Sequence, residues 1–412
     1  MSESLLCVAN FPSGTGYAWK FIESLYAGVA GRIAEERIRT WVAYPRLEVL
    51  PAVLAGSAAR PVELPIRLNS ARSVARLLRF IRRERVRVLY LSDRPAWHPT
   101  YALLRLAGVR CILAHDHTSG ERTLPRGVKR CLKWAVRRLP GMMADHVIGV
   151  SDFVARRKVE VDLIPARRVR RIWNSLEIPD PNPNAASDLR RLFQLDTDRP
   201  VVVCACRASP EKGVALLLRA FDALLSDFPA DAPRPVLIYL GEGPALAGIR
   251  QLRESLSARD DIILAGYRPD AATLIEGADL CVVPSLWAEA FGLAVLEPMA
   301  RGRAVIASRA GGIPEVAVDG ETGVLVPPGD EAALSSAIRR LLLDAGERAR
   351  LGRNGRERAI HHFSLDAELE ELARLVRIGF RLPAPERSHV AATTSTQPDP
   401  HRSFTHATTE SR

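Results

Sequence analysis

Two glutamates eight positions apart, Glu289 and Glu297, bracket a glycine in the run Pro284-Ser285-Leu286-Trp287-Ala288-Glu289-Ala290-Phe291-Gly292-Leu293-Ala294-Val295-Leu296-Glu297. The pattern predicts a strand ending in a loop that carries Glu289 and a helix beginning near Gly292. Free N–H groups and the dipole at such a helix start attract an anion, and Gly292 puts no Cβ in its way. At 1.5 Å per residue the step from Glu289 to Glu297 covers about 12 Å if helical. Carboxylates that hydrolyse a glycosidic bond stand roughly 5–9.5 Å apart, so this pair is not a hydrolytic acid/base couple. It suits an elongated ligand with hydroxyls at both ends and charge in the middle, as in a nucleotide-diphosphate sugar. Taken alone, the pair also reads as a loop Glu and a helix-surface Glu.

Other residues point the same way. Arg207-Ala208-Ser209-Pro210-Glu211-Lys212-Gly213 follows an apolar run, which puts two cations at the end of a strand. There Arg offers a bidentate fork and Lys a point charge to a diphosphate. Glycine pairs at Gly241/Gly243 and Gly311/Gly312 permit close backbone approach to a ligand or a tight turn. Gly14-Thr15-Gly16 follows the first apolar run, but position 19 is Trp, so G-x-G-x-x-G is incomplete and the phosphate-loop signal is weak. His115-Asp116-His117-Thr118-Ser119 ends another strand-like run; with no third or fourth ligand near it, a metal site is the weaker reading beside a hydrogen-bonded turn.

The elements that must position these residues alternate. Leu5–Phe11, Val86–Leu91, Cys111–Ala114 and Val147–Val150 read as strands; 16–34, Ser70–Arg85 and Arg126–Arg138 read as helices. Pro179-Asp180-Pro181-Asn182-Pro183-Asn184 breaks the pattern as a linker. The grammar then resumes, with strands at Pro200–Cys206, Val236–Leu240, Ile262–Leu264, Leu280–Val283 and Ala304–Ala307 and a helix at Val214–Ser226. Alternation of this kind predicts βαβ units and parallel sheets. Two such domains leave a cleft between strand C-terminal edges as the natural site. We place the domains at 1–176 and 177–382, with the last helix packing back on the first domain and a disordered tail at 383–412.

The 412 residues are 47% hydrophobic and 25% charged, an ordinary globular balance. No apolar run approaches the ~18–20 residues that span a bilayer, and no signal-peptide pattern opens the chain. The six cysteines lack zinc or cluster spacing and read as buried hydrophobes in a reducing, cytoplasmic compartment. Charge is unevenly spread: up to Ser175 there are 31 Lys+Arg against 14 Asp+Glu, a net of +17, and the remainder carries −6. That excess faces an anionic partner. Arg126–Arg138, with Trp134, is either a helix packed on its sheet or a surface for anionic lipid, peripheral on the inner face of the membrane. No aromatic-plus-basic stacking motif points to nucleic acid.

From Arg207 to Asp330 the sequence resembles the retaining glycosyltransferases of family 4, which have the two-domain GT-B fold. It carries their Glu-x7-Glu signature at Glu289 and Glu297, then Ala310-Gly311-Gly312-Ile313-Pro314-Glu315 and Gly323-Val324-Leu325-Val326-Pro327-Pro328-Gly329-Asp330. The resemblance implies an α/β fold of two Rossmann-like parallel-sheet domains and a hexosyltransferase. Its donor would be a nucleotide-diphosphate sugar, its acceptor a glycan or a lipid-linked group in cell-envelope or polysaccharide synthesis, and it would need no metal or cofactor. It further implies that Arg207 and Lys212 hold the donor diphosphate, Glu289 the transferred sugar and Glu297 the ribose. The backbone of Phe291-Gly292-Leu293 would line the sugar–phosphate, with Gly241 and Gly243 beside it and Tyr267 and Arg268 at the base. His117 or His115 would stand near the transferred sugar, and Gly14 and Gly16 at the acceptor or phosphate loop. The rival readings are a sugar-nucleotide epimerase and a basic nucleic-acid-binding protein.

Overall fold

The computed structural model describes residues 2–14, 16–64, 66, 70–196 and 198–382; the expected tail 383–412 lies outside them. Thirteen strands form two parallel sheets. The first contains β1 (Ser4–Val8), β2 (Arg39–Tyr44), β3 (Ala59–Glu63), β4 (Val86–Ser92), β5 (Cys111–Asp116), β6 (His146–Gly149) and β7 (Val169–Arg171) in the order β3-β2-β1-β4-β5-β6-β7. The second contains β8 (Val201–Ala205), β9 (Val236–Leu240), β10 (Ile262–Gly266), β11 (Leu280–Val283), β12 (Ala304–Ser308) and β13 (Val324–Val326) in the order β10-β9-β8-β11-β12-β13. Both orders reverse direction once, between β1 and β4 and between β8 and β11. Ligands of open α/β sheets bind at such reversals, outside the strand C-termini. This is a pair of Rossmann-like domains.

Helices cover both faces of each sheet, so the inner strands are buried on both sides: β1 and β9 are buried at every position, while the edge strands β3 and β7 carry exposed charged residues. The helix Leu365–Phe380 belongs in sequence to the second half but packs on the first. Leu369, Leu372, Leu375, Val376 and Phe380 join the core built on Leu5, Cys7, Tyr26, Val88 and Tyr90.

Two expectations need correction. Cys131 is exposed and Cys206 half-buried, so not all six cysteines are core residues. The cause lies in the helix Val128–Val136, which contains Cys131 and buries none of its residues. That helix is therefore not packed into the sheet by an apolar face. Val128 is 84%, Leu132 62% and Trp134 51% exposed, and the helix is tethered by Lys133, whose Nζ donates to Val161 O at 2.8 Å and pairs with Asp162 at 3.3 Å.

Candidate active site

The C-terminal rim of the second sheet is laced loop to loop. After β10, Gly266 O accepts from Gly241 N at 2.8 Å; after β9, Glu242 O accepts from Ala208 N at 2.9 Å; after β8, Glu211 O accepts from Leu286 N at 2.9 Å. Strand order thus lines up Tyr267 and Arg268, then Gly241 and Gly243, then Arg207 and Lys212, then Glu289 and Gly292. From β10 to β11 there are three strand steps of about 4.8 Å each, roughly 14 Å, a length for an elongated ligand. A Cβ at Gly241 would lie 1.9 Å from Cys206 O, and one at Gly213 2.0 Å from Pro284 O. These glycines serve loop-to-loop contact within the rim.

At the reversal between β8 and β11 the two key side chains meet. Glu289 Oε1 accepts from Lys212 Nζ at 2.6 Å and from Ser285 Oγ at 2.7 Å, and Glu289 is almost entirely buried. Gly292, at φ +117°, starts the helix Leu293–Ala300, with Phe291 buried behind it. Glu297 is half-buried on that helix, and Arg207 is exposed at the rim. Tyr267 is exposed, and Arg268 is held bidentately by Asp270 at 2.8 and 2.6 Å.

The first domain clasps this loop. Gly120 N donates to Ala288 O at 2.7 Å, Ser119 Oγ accepts from Ala290 N at 3.1 Å, and Ser151 Oγ donates to Ala290 O at 2.6 Å. These bonds fall on either side of Glu289, and two of them come from Ser119 and Gly120, just beyond His117. A second clasp runs the other way. The Glu315 carboxylate, from the second domain, accepts from Asp152 N at 2.7 Å, Phe153 N at 2.8 Å and Trp173 Nε1 at 3.0 Å. Sequence reading found Glu315 within a motif but gave it no role, and it missed Ser119, Ser151 and Ser285, whose partners are distant or buried.

The two histidine rings lie against each other, with centroids 4.1 Å apart and planes tilted by 46°, but their settings differ. His115 has 0% exposure, and its Nδ1 lies 2.7 Å from Tyr90 Oη inside the core. His117 is half-buried at the loop; its N–H donates to Asp93 Oδ1 at 2.8 Å. Burial pushes both imidazoles below their usual range, His115 furthest, while Asp93 and Asp116 partly oppose this at His117. His117 keeps some exposed surface at the loop and His115 has none, and the Nε2 of each is buried without a partner among the described residues. Gly14, at φ +81°, caps the loop after β1, where Ser13 Oγ accepts from Glu48 N and Val49 N at 2.8 and 3.0 Å; Gly16 begins the helix Gly16–Arg32. No group of three His, Cys, Asp or Glu side chains among the described residues is arranged to hold a metal.

Comparison with known proteins decides the class. Residues 187–358 match the glycosyl transferases group 1 family and residues 27–178 match glycosyltransferase family 4. The chain is also 31% identical over 286 residues to the GDP-mannose-dependent alpha-(1-6)-phosphatidylinositol monomannoside mannosyltransferase of Mycolicibacterium smegmatis, covering 66% of this chain and 72% of that protein. The chain belongs to the family 4 glycosyltransferases. It is a transferase, which sets aside the epimerase reading. The GT-B fold is shared with a glycosyltransferase from Rickettsia africae at a TM-score of 0.76 and 18% identity, over 92% of this chain and 99% of that one. It is shared equally with Anabaena HepE, solved in complex with UDP and glucose, at 0.72 and 19%, over 91% and 99%.

Proposed function

We propose that this family 4 glycosyltransferase is a retaining, metal-independent hexosyltransferase. It takes its sugar from a nucleotide-diphosphate donor and passes it to a glycan or lipid-linked acceptor of cell-envelope or polysaccharide synthesis, at the inner face of the membrane. The observation that carries the donor half of this reading is the Lys212–Glu289 contact at 2.6 Å across the sheet reversal, directly before a helix N-terminus. A diphosphate at that helix start meets Lys212, the Arg207 guanidinium and the peptide N–H groups, which together stabilise the charge that develops on the leaving group. Glu289 then faces the transferred sugar, Glu297 the ribose, and the Gly266-Tyr267-Arg268 loop the base. No carboxylate stands in the role of nucleophile, so the substitution runs on one face through an oxocarbenium-like state. His117 accepts a hydrogen bond from the sugar, and the Ser119, Ser151 and Glu315 clasps hold water out of the closed site.

The acceptor half rests on the first domain's charge and on the exposed helix Val128–Val136. Its cations and Trp134 suit an anionic leaflet, where each basic residue near the surface contributes about 1 kcal/mol, and Arg138 stacks 3.8 Å over Trp134. The phosphatidylinositol acceptor in the name of the Mycolicibacterium relative supports the same side of the reading. No described helix is long and apolar enough to cross a membrane.

The test is turnover of UDP- and GDP-hexoses in EDTA with anionic lipid extract as acceptor, read by NMR. An α-linked product supports the proposal. A β-linked product overturns retention, and loss of activity in EDTA restored by Mn²⁺ overturns metal independence. Sedimentation that is equal with neutral and anionic vesicles overturns the membrane contact.

A further inference from the structure

A second polar cavity, of about 220 Å³, opens at the C-terminal edge of the first sheet beside its own reversal. It lies between the loop after β4, which supplies Asp93 and Arg94, and the end of β5, which supplies Asp116 and Thr118. The alternation that sets His115 beside His117 turns Asp116 and Thr118 into this cavity, and Asp93 touches both places through the His117 backbone N–H. The cavity and His117 are thus built from the same two loops.

The ionic balance inside the cavity is uneven. Asp162 is met by Lys158 at 3.1 Å, Lys133 at 3.3 Å and Arg122 at 3.3 Å. Asp116 is met by Lys158 and by Arg157; burial pushes its carboxyl up, but Lys158 and the Thr118 hydrogen bonds hold it down at about 2. Asp93 receives the His117 N–H. Asp116 and Asp162 are thus paired with cations and Asp93 accepts only that backbone N–H, while two guanidinium groups on the lining, Arg94 and Arg137, form no salt bridge with any described carboxylate. Arg94 donates only to Ile66 O, at 3.1 Å, and its buried Nε has no partner among the described residues. The Arg137 guanidinium lies 5.7 Å from the centre of the Trp97 ring and makes no hydrogen bond to any described residue. Two planar forks facing one enclosed volume match a tetrahedral oxyanion, which they can grip bidentately. The volume equals roughly seven waters at ~30 Å³ each, room for a phosphate and the start of what it is attached to.

We propose that this cavity binds a phosphate group carried by the acceptor, with Arg94 and Arg137 as its ligands. The proposal rests on the transferase reading above: the donor diphosphate belongs to the rim of the second domain, so an anion held beside His117 on the first domain belongs to the other substrate. The phosphate is either that of a lipid headgroup or that of a soluble phosphomonoester.

The test uses the full chain saturated with UDP or GDP, whichever binds, so that the donor site is filled. Inorganic phosphate and glycerol 3-phosphate are titrated calorimetrically into wild type, Arg94→Gln and Arg137→Gln. One-to-one binding weakened about tenfold in each variant, with nucleoside diphosphate affinity unchanged, supports the proposal, since one charge-assisted hydrogen bond contributes about that much. Arg137→Lys keeps the charge and loses the fork; it should weaken phosphate by a smaller factor, which guards against a misfolded variant. Phosphatidylcholine vesicles with and without phosphatidylinositol separate the sources. Sedimentation that needs phosphatidylinositol and both arginines identifies a headgroup, and binding of glycerol 3-phosphate alone identifies a soluble ester. Equal phosphate affinity in all proteins, or none in any, overturns the proposal. Arginine-dependent phosphate binding without any nucleoside diphosphate binding would instead fail the donor reading and leave this one standing.

Discussion

Lys212 Nζ and Glu289 Oε1 lie 2.6 Å apart although the residues come from the loops after β8 and β11, on either side of the sheet reversal. Ser285, bonded to the same oxygen, fixes the carboxylate from below. Lys212 is thereby aimed without needing a rigid side chain of its own. Replacing Lys212 by Ala should lower kcat/KM by about 10²–10³, the scale for losing one preorganised electrostatic donor. Glu289→Gln should reduce kcat by a similar factor with donor affinity changed only a few-fold, whereas Glu297→Gln should mainly raise the donor KM. Steady-state kinetics with full donor titrations check this; wild-type behaviour of both Gln variants would remove the assignment.

The histidines make a paired prediction. His117→Ala should lower kcat about 100-fold with little change in melting temperature. His115→Ala should chiefly lower the melting temperature, because it empties a core position and strands Tyr90 Oη. Burial depresses both imidazoles, so neither should contribute a titration to kcat/KM between pH 7 and 8. The roles are reversed if His115→Ala melts like wild type and is the slower enzyme.

Glu315 is the acid that one domain lends to the other. Glu315→Ala leaves two backbone N–H groups and the Trp173 indole without their acceptor, a loss of about 2–3 kcal/mol. A fall of several degrees in melting temperature and a change in Trp173 fluorescence should accompany it. An unchanged melt would show that the clasp contributes nothing to the closed form.

Glu368 is buried, and burial raises its carboxyl to about 8, with the Ser175 hydroxyl pulling the other way. Its Oε1 has no partner among the described residues, as suits a protonated acid facing Tyr90 and Ser175. The folded state holds this proton more tightly than the unfolded chain does. The stabilisation is therefore complete below about pH 4.5 and is lost as pH rises toward 8. Glu368→Gln should remove that decline, so its melting temperature should gain on wild type steadily from pH 5 to 8.5. A constant difference across that range would count against the assignment.

Much of the fold could be read from apolar runs and their spacing: β9, β11 and the helix Val214–Ser226 have the expected bounds. Four strands escaped, β2, β3, β7 and β13; β2 did so despite the clear strand signal of Trp41, Val42 and Tyr44, whereas β3 and β7 had weak ones. β3 contains Pro61, tolerated because it is an edge strand, and β7 is only three residues long. At the site, Lys212 and Glu289 were legible because the motif is compact in sequence. Ser119, Ser151 and the role of Glu315 were not, since each bond joins residues more than 130 positions apart and leaves no periodic trace. The basic helix was half-legible: its charge was plain, but that its apolar residues stay outside depends on tertiary placement.

The chain crosses between its domains twice, once leaving the first and once at the start of the helix Leu365–Phe380. At the crossings Leu176 N donates to Phe363 O and Leu365 N donates to Leu176 O, both at 3.3 Å. The two passages are bonded to one another at a single place, so the domains share one double-stranded hinge rather than two separate connections. Five apolar side chains of the returning helix anchor it with on the order of 10 kcal/mol, far more than the clasps around Glu289. Neither half of the chain, cut at the linker, would keep a dry core, because Val150 and Val154 of the first half pack into the second core and the returning helix packs into the first.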